Sequence, residues 1–177
     1  MNNLHASGKQ IVTRSEADIV RASGDDLEGI VALQAANQPA CGGMLSACLP
    51  RFRIMEMMRE MPLIVAHRGD RVAGFLMTGT RAMNADVPII RAMLTAYPGT
   101  ADAYVFGPIC VSVEERGNGL AQAMFSELRR LVPAREGILF IRRDNPASLR
   151  AHEKMGMREV AGFVFDEIDF AVQSYFG

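Results

Sequence analysis

The sequence lacks the features that would point to a membrane, to nucleic acid or to an extracellular scaffold. It has no apolar run approaching the roughly 20 residues that a membrane-spanning helix needs. Its formal net charge of -1 provides no basic excess for nucleic acid and no reason to expect an anionic membrane partner. Its three cysteines, Cys41, Cys48 and Cys110, are an odd number without a secretory context, which argues against a disulfide framework. We therefore expect reduced thiols and a cytoplasmic location.

The composition is that of one globular domain. The chain has 177 residues, of which 49% are hydrophobic and 22% are charged, and domains usually have roughly 100–200 residues. The opening segment MNNLHASGKQ has no apolar stretch of the kind found in signal peptides. We expect residues 1–16 to form a flexible leader and residues 17–177 to form the folded domain.

Apolar periodicity and turn residues predict an α/β domain with a mixed sheet and helices on its faces. The predicted order is β-α-α-β-β-α-β-α-β-α-β-β, in which the helix opening at Pro88 has the weakest signal. The strongest signal is a hairpin at Gly69-Asp70, between two apolar runs. Near the C-terminus, Asn145-Pro146 is suited to open a helix and Gly156 to end it.

The segment between a strand ending near Val113 and a helix predicted over residues 118–131 indicates phosphate binding. The first N–H groups of a helix have no internal partner, and they suit an anion at the positive end of the helix dipole. Gly117 and Gly119 remove side chains that would block close approach, and Arg116 adds a cation with a forked set of donors. The segment has neither a Gly-Lys-Ser/Thr ending nor a third glycine at Gln122, so other phosphate loops fit less well. A plain glycine turn is the structural alternative.

Two motifs in this chain resemble those of the GCN5-related N-acetyltransferase (GNAT) superfamily. Arg116, Gly119 and Ala121 match its Arg/Gln-x-x-Gly-x-Gly/Ala signature in register. A second match lies downstream, with the family's usual Phe replaced by Met157; its matching residues are Asn145, Ser148, His152 and Gly156. The resemblance covers about residues 17–177. It implies an acyl-CoA N-acyltransferase-like fold with a mostly antiparallel central sheet and helices on both faces.

The resemblance also implies where acetyl-CoA binds. The strand before the loop is expected to splay from its neighbour, so that backbone groups of Ile109, Cys110 and Val111 pair with the pantetheine arm. The N–H of Val111 is expected to polarise the thioester carbonyl. The diphosphate is expected to contact the loop and helix start, whose residues are Arg116, Gly117, Asn118, Gly119, Leu120, Ala121 and Gln122. The channel beside the cofactor is expected to be lined by Asn145, Ser148 and His152.

Acetyl transfer to an amine requires a neutral amine, donors for a developing oxyanion and a proton for the departing thiolate. His152 is the candidate acid, in a place where family members commonly have Tyr, and its alternative role is structural. The strand predicted over residues 137–141 has no acid, so the weak candidates for the base are Asp102 and Tyr104, and water is an equal alternative. We interpret Glu114 and Glu115 as a solvated loop edge.

Cys110 is interpreted as a small strand residue because no base in the sequence pairs with it. His5 and His67 show no metal-ligand spacing with the cysteines, so no metal is predicted.

The leading functional hypothesis is an acetyl-CoA-dependent N-acetyltransferase acting on a primary amine of a small molecule or amino acid. A protein N-terminus or lysine is a variant acceptor, and an acyl-CoA sensor or scaffold without turnover is the alternative function. The methionines of residues 53–61 suit an adaptable substrate surface, but a helix packing on the sheet through Met55, Met58 and Met61 explains them equally simply. The C-terminal strands offer a surface for homodimer formation.

Overall fold

The computed structural model describes residues 16–45 and 47–177, so that the predicted leader lies outside it except for Glu16. The strands of this part of the chain are β1 (Asp18–Arg21), β2 (Ile64–Arg68), β3 (Arg71–Gly79), β4 (Tyr104–Val111), β5 (Glu136–Arg142), β6 (Arg158–Phe165) and β7 (Ile168–Phe176). The α-helices are α1 (Leu27–Ala36), α2 (Arg51–Glu60), α3 (Pro88–Ala96), α4 (Leu120–Leu131) and α5 (Pro146–Lys154). The predicted element order is confirmed.

The strands form one seven-stranded sheet in the order β1-β2-β3-β4-β5-β7-β6. Neighbouring strands of the sheet are antiparallel, except β4 and β5, which are parallel. The crossover through α4 accounts for this one parallel pair, because parallel neighbours need a long connection. The mixed, mostly antiparallel sheet is therefore confirmed.

Alternating side chains divide the core between the two faces of the sheet. On β3, Phe75 and Met77 pack with α1 and α2, whereas Leu76 faces the cluster formed with α4 and α5. On β4, Phe106 lies in that second cluster, and Val105 points to the opposite face beside α3. Helices therefore cover both faces, with α1, α2 and α3 on one and α4 and α5 on the other.

Most of the predicted turns and helix starts are confirmed, but two boundaries near the site differ from the prediction. The Gly69-Asp70 turn joins β2 to β3, and α3 begins at Pro88. Helix α4 begins at Leu120 rather than at residue 118, because Gly119 adopts a left-handed conformation with φ 79°. Strand β5 begins at Glu136, so the expectation of a strand without an acid is wrong. None of the helices in residues 16–45 and 47–177 is long and apolar enough to span a membrane.

The extra acid of β5, Glu136, is buried and fully bonded. Its Oε1 accepts hydrogen bonds from the hydroxyls of Tyr97 (2.9 Å) and Ser174 (2.8 Å). Its Oε2 accepts one from the N–H of Thr100 at 2.7 Å. Burial raises the pKa of this carboxyl, but the hydrogen bonds from Thr100, Ser174 and Tyr97 together lower it below its ordinary value. Glu136 thus ties β5 to β7 and to the chain after α3.

We expect Glu136→Ala to destabilise the fold by about 1–3 kcal/mol, since it leaves buried donors without an acceptor. Because the folded pKa of Glu136 is lowered, its stabilisation is present above the unfolded pKa and is lost as the pH falls through the folded pKa. The difference in unfolding free energy between the two proteins should therefore shrink in acid. Urea unfolding at neutral and acidic pH measures this. Glu159→Ala, which removes an exposed ion pair with Arg143, is the control and should change little.

Candidate active site

The candidate site begins where β4 and β5 stop pairing. Their parallel pairing consists of Tyr104 with Gly137 and Val105 with Ile138. On its other side β4 continues to pair with β3 as far as Val111. An irregularity lies in between, where Leu76 and Thr78 of β3 face Ile109 and Phe106. The edge of β4 that faces β5 is therefore open beyond Val105.

Backbone alternation shows which groups of β4 face this opening. The N–H of Ser112 donates to the carbonyl of Ala73 on β3 at 2.8 Å. Since neighbouring residues of a strand direct their N–H and C=O groups to opposite sides, those of Val111 and Ile109 face away from β3. Those of Cys110 face β3. The opening thus receives the backbone groups of two of the three predicted pantetheine contacts, and Cys110 is directed elsewhere.

A cleft of about 410 Å³ occupies the opening and passes through the sheet. On the face covered by α5 it is lined by side chains that include Phe106, Ile141, Asn145, Ser148 and His152. On the opposite face its lining includes Leu49, Arg53, Met57, Val87 and Ile90. Two molecules that enter from opposite faces can therefore meet between the strands.

The predicted phosphate loop follows β4 and lies outside the lining of the cleft. Gly117 and Gly119 both have φ 79°, a conformation that favours glycine, and a Cβ at either would meet no atom within 4 Å. No side chain of the described residues caps α4. The N–H groups of Leu120, Ala121 and Gln122 precede the first internal bond of α4, which runs from Ala123 to Gly119. The start of α4 therefore presents free amides to open space.

Arg116 holds this loop from behind. Its Nη2 donates to Oδ1 of Asn37 at 2.6 Å, and its Nε donates to the carbonyl of Val111 at 3.3 Å. Asn37 ends α1, and its own Nδ2 donates to the carbonyl of Leu33 at 2.8 Å. The guanidinium that was expected to face a diphosphate thus also fixes the loop to α1.

The two acids before Arg116 differ, and the interpretation of both as a solvated edge is wrong for Glu115. Its side chain is 7% exposed and lies 3.3 Å from Nε of Arg68 and 3.8 Å from Nη2 of Arg71. The short helix Val113–Glu115 turns this carboxylate inward, towards the β2–β3 hairpin. Glu114 has a side chain that is 58% exposed and pairs with Arg71 at 2.6 Å.

Helix α5 brings Asn145, Ser148 and His152 together in the lining of the cleft. Oδ1 of Asn145 caps the helix by accepting from the N–H of Ser148 at 3.1 Å. His152 is 4% exposed, and its Nδ1 lies 2.8 Å from the carbonyl oxygen of Ser148. Oγ of Ser148 lies 3.3 Å from the same nitrogen. Because the carbonyl oxygen is closer and only accepts, we assign the proton to Nδ1, which leaves Nε2 of the neutral ring as an acceptor. Burial lowers the pKa of His152, although the bond to Ser148 raises it in part.

Comparisons with known proteins were made by sequence and by structure. No protein-family model and no curated protein sequence matches the chain. Many solved structures match its fold. Those of yncA from Salmonella typhimurium, which contains its cofactor acetyl-CoA, and of a GNAT-family acetyltransferase from Bacillus cereus superpose with TM-scores of 0.66 and 0.65 at 16% and 15% identity. Each alignment covers 92% of this chain, and 94% and 98% of the other chain, respectively.

The ribosomal-protein-S18-alanine N-acetyltransferase of Escherichia coli also matches, with a TM-score of 0.64, 13% identity and coverage of 91% of this chain and 94% of that chain. The chain has the GNAT fold. At these sequence identities the similarity shows the fold alone.

The predicted bases lie away from the cleft. The hydroxyl of Tyr104 shares a hydrogen bond with that of Tyr175 in the core, and burial raises the pKa of Tyr104. The side chain of Asp102 is 65% exposed and lies 4.0 Å from Arg135. Glu136 is bonded at the closed end of β4 and β5. None of the described residues that line the cleft is Asp or Glu. A side-chain carboxylate base is therefore not part of this site.

Cys110 is buried, and burial raises the pKa of its thiol to about 11 in spite of the nearby Arg116. At neutral pH it is a protonated strand residue, as interpreted from the sequence. Within the described residues, no group of His, Cys, Asp and Glu gathers that could hold a metal ion.

The buried face of α2 differs from the predicted one, and Arg53 was not among the predicted site residues. Met57 and Ile54 are the buried residues of this helix, with Met61 at its end, whereas Met55 and Met58 are only partly buried. The packing of this helix on the sheet is confirmed. Arg53 stands one turn before Met57, and both line the cleft. The sequence offered no clear signal for Arg53, because the predicted face of Met55, Met58 and Met61 does not include Met57.

We expect the pKa of His152 to lie below the ordinary histidine value of about 6.5, because burial lowers it, so that the ring is neutral at neutral pH with its proton on Nδ1. Histidine ¹⁵N chemical shifts across a pH titration measure both properties, and the His152→Gln variant assigns the signal among the three histidines. The unfolded chain binds this proton more readily than the folded one, so His152 should make the fold less stable as the pH drops below about 6.5. An Nε2–H tautomer at neutral pH would contradict this assignment.

Proposed function

We propose that this protein is an N-acetyltransferase that moves the acetyl group of acetyl-CoA directly to a primary amine of a small molecule or amino acid. The observation that supports it most is the set of free amides at the start of α4. This helix follows β4 after one loop, and the edge of β4 that faces β5 is open. Helix N-termini bind phosphate groups through such amides. An open strand edge can bind an extended arm that carries peptide-like amides. Coenzyme A has both a diphosphate and such an arm.

The residues present fit acetyl-CoA along this path. The amides of Leu120, Ala121 and Gln122 would hold the diphosphate, and Gly117 and Gly119 leave room for it. Ile109 would pair with the pantetheine arm through its outward N–H and C=O groups, and Val111 through its N–H, since its carbonyl accepts from Arg116. The bound group supplies an acetyl carbon activated by its thioester. An N–C bond then replaces the C–S bond, and one amine proton ends on the thiol of the product.

Two groups of this chain would act on the reacting atoms. The N–H of Val111 faces away from β3 on the open edge of β4, two residues beyond Ile109, which lines the cleft. A fixed backbone donor that meets a developing oxyanion contributes about 3–4 kcal/mol. His152 is neutral, so it cannot donate from Nε2 without first receiving a proton there. We therefore propose that His152 takes the proton of the attacking amine at Nε2 and returns it to the departing sulfur. This replaces a simple acid role with a shuttle.

The isosteric change Gln122→Glu tests the diphosphate site. Gln122 is exposed in the first turn of α4, where a negative charge stabilises a helix by about 0.3–1 kcal/mol but repels a diphosphate. We expect unchanged or higher stability together with coenzyme A binding that is about tenfold weaker, from Coulomb repulsion at a range of several Å in water. Gln122→Lys is the matched control, with both effects reversed. Calorimetric titration of coenzyme A and urea unfolding measure them, and equal affinities in all three proteins would exclude this site.

The shuttle predicts that His152→Phe lowers kcat by about 10²-fold while coenzyme A still binds. His152→Gln retains polarity without basicity and should be equally slow, which separates proton transfer from packing against Phe106. Release of thiol from acetyl-CoA with an amine panel, followed across pH, measures both. Turnover by either variant at the wild-type rate would remove His152 from the mechanism. Coenzyme A binding without thiol release from any amine would instead indicate an acyl-CoA sensor.

A further inference from the structure

Arg53 is a cation on the α2 side of the cleft, and one of its guanidinium donors has no partner among the described residues. Its side chain is 17% exposed, and it lines the cleft from α2, on the face opposite His152. Its Nη1 donates to Oε2 of Glu56 at 2.6 Å. Its Nη2 is buried without a hydrogen-bond partner in residues 16–45 and 47–177. An unpaired buried donor on a charged group is unfavourable, and such exceptions call for an explanation.

The charges around the cleft favour an anion as the partner. Its described lining contains two cations, Arg53 and Arg142, and no carboxylate. Arg142 is already occupied by both oxygens of Asp144, at 2.8 and 2.5 Å. Glu56, the partner of Arg53, lies outside the lining and has a side chain that is 46% exposed. Of these two cations, Arg53 is the one with a buried donor that has no partner among the described residues, and a planar carboxylate matches its fork.

The remaining described walls on this side are mostly apolar, and Asn84 is the polar residue among them. Met57, Val87 and Ile90 line the cleft beside Arg53, and Phe140 and Phe170 line it from the sheet. An acceptor with a second positive charge, such as a polyamine or a lysine side chain, would face Arg53 and Arg142 without a counter-ion. The volume of about 410 Å³ must also admit the acyl-bearing arm, so the acceptor has to be compact.

We propose that the acceptor is a compact amine with a carboxylate and an apolar side chain, such as an apolar α-amino acid, whose carboxylate is bound by Arg53. The apolar side chain lies against Met57, Val87 and Ile90, and the amine points to the opening between β4 and β5. This inference rests on the proposed acetyltransferase function. It selects free amino acids over protein N-termini, which have an amide where the amino acid has its carboxylate.

The first test uses the wild-type protein with acetyl-CoA and pairs of acceptors that differ in one group. Thiol release should be at least about tenfold faster in kcat/KM with leucine, methionine or phenylalanine than with the corresponding amides, which lose the charged hydrogen bonds to Arg53. Amino acid amides have the more readily deprotonated amine, so chemistry without recognition would favour them. Spermidine and lysine should be poor acceptors.

The second test changes the arginine. Arg53→Met should raise KM for leucine about tenfold or more and leave KM for acetyl-CoA and for leucinamide within about twofold, because only the carboxylate loses its partner. Arg53→Lys should restore part of the leucine affinity. Arg51→Met is the matched control, because Arg51 is on the same helix and pairs with Glu28, but its side chain is 59% exposed and outside the cleft lining.

The outcomes separate the two proposals. Thiol release with amides, peptides or polyamines at least as fast as with the free amino acids would overturn the carboxylate site and keep the acetyltransferase. Equal leucine kinetics in wild type and Arg53→Met would do the same. Absence of thiol release with every amine would overturn both. If a thermal melt shows that the Arg53→Met variant is not folded, the comparison of leucine with leucinamide in the wild-type protein still tests the carboxylate site.

Discussion

The early end of the pairing between β4 and β5 is the constraint on which the rest of the site depends. Two residue pairs hold these parallel strands together, and beyond Val105 they diverge. On its other side β4 pairs with β3 as far as Val111, with one irregularity opposite Leu76 and Thr78. A strand edge with unpaired groups normally invites aggregation or is covered. Here it borders a cleft through the sheet, and it brings two faces of the molecule to one meeting point.

The free amides of α4 depend on contacts made behind them. Arg116 bonds to Asn37 and to the carbonyl of Val111, and Glu115 is buried against Arg68 and Arg71. These bonds fix the loop to α1 and to the β2–β3 hairpin. Gly119, the residue before the first residue of α4, has no side chain that could cap the helix. The loop is thus held on its inner side while its outer N–H groups stay open, and this preorganisation favours anion binding because little ordering remains to be done.

The polarity of the cleft suits the proposed reaction. An amine attacks only when it is neutral, and the described lining has no carboxylate that would stabilise its protonated form. Burial keeps His152 neutral, and the bond of its Nδ1 to Ser148 leaves Nε2 as the acceptor. The same shortage of negative charge would leave Arg53 available to a carboxylate. Exclusion of ammonium groups and attraction of a carboxylate therefore have one electrostatic cause.

The order of elements, the hairpin at Gly69-Asp70 and the glycines before α4 could be predicted because they depend on local chemistry: periodic apolar residues, turn conformations and capping. The helix that carries Ser148 and His152 could be predicted from its opening at Asn145-Pro146 and its end at Gly156, whereas the grouping of the three residues beside the cofactor was implied by the GNAT resemblance. Tertiary structure alone decided which way Glu115 points, that β5 begins at a buried Glu136, that Cys110 directs its backbone to β3, and that Arg53 reaches the cleft from α2. These depend on the register and divergence of strands far apart in the chain, and the short-range pattern of a sequence contains no information about either.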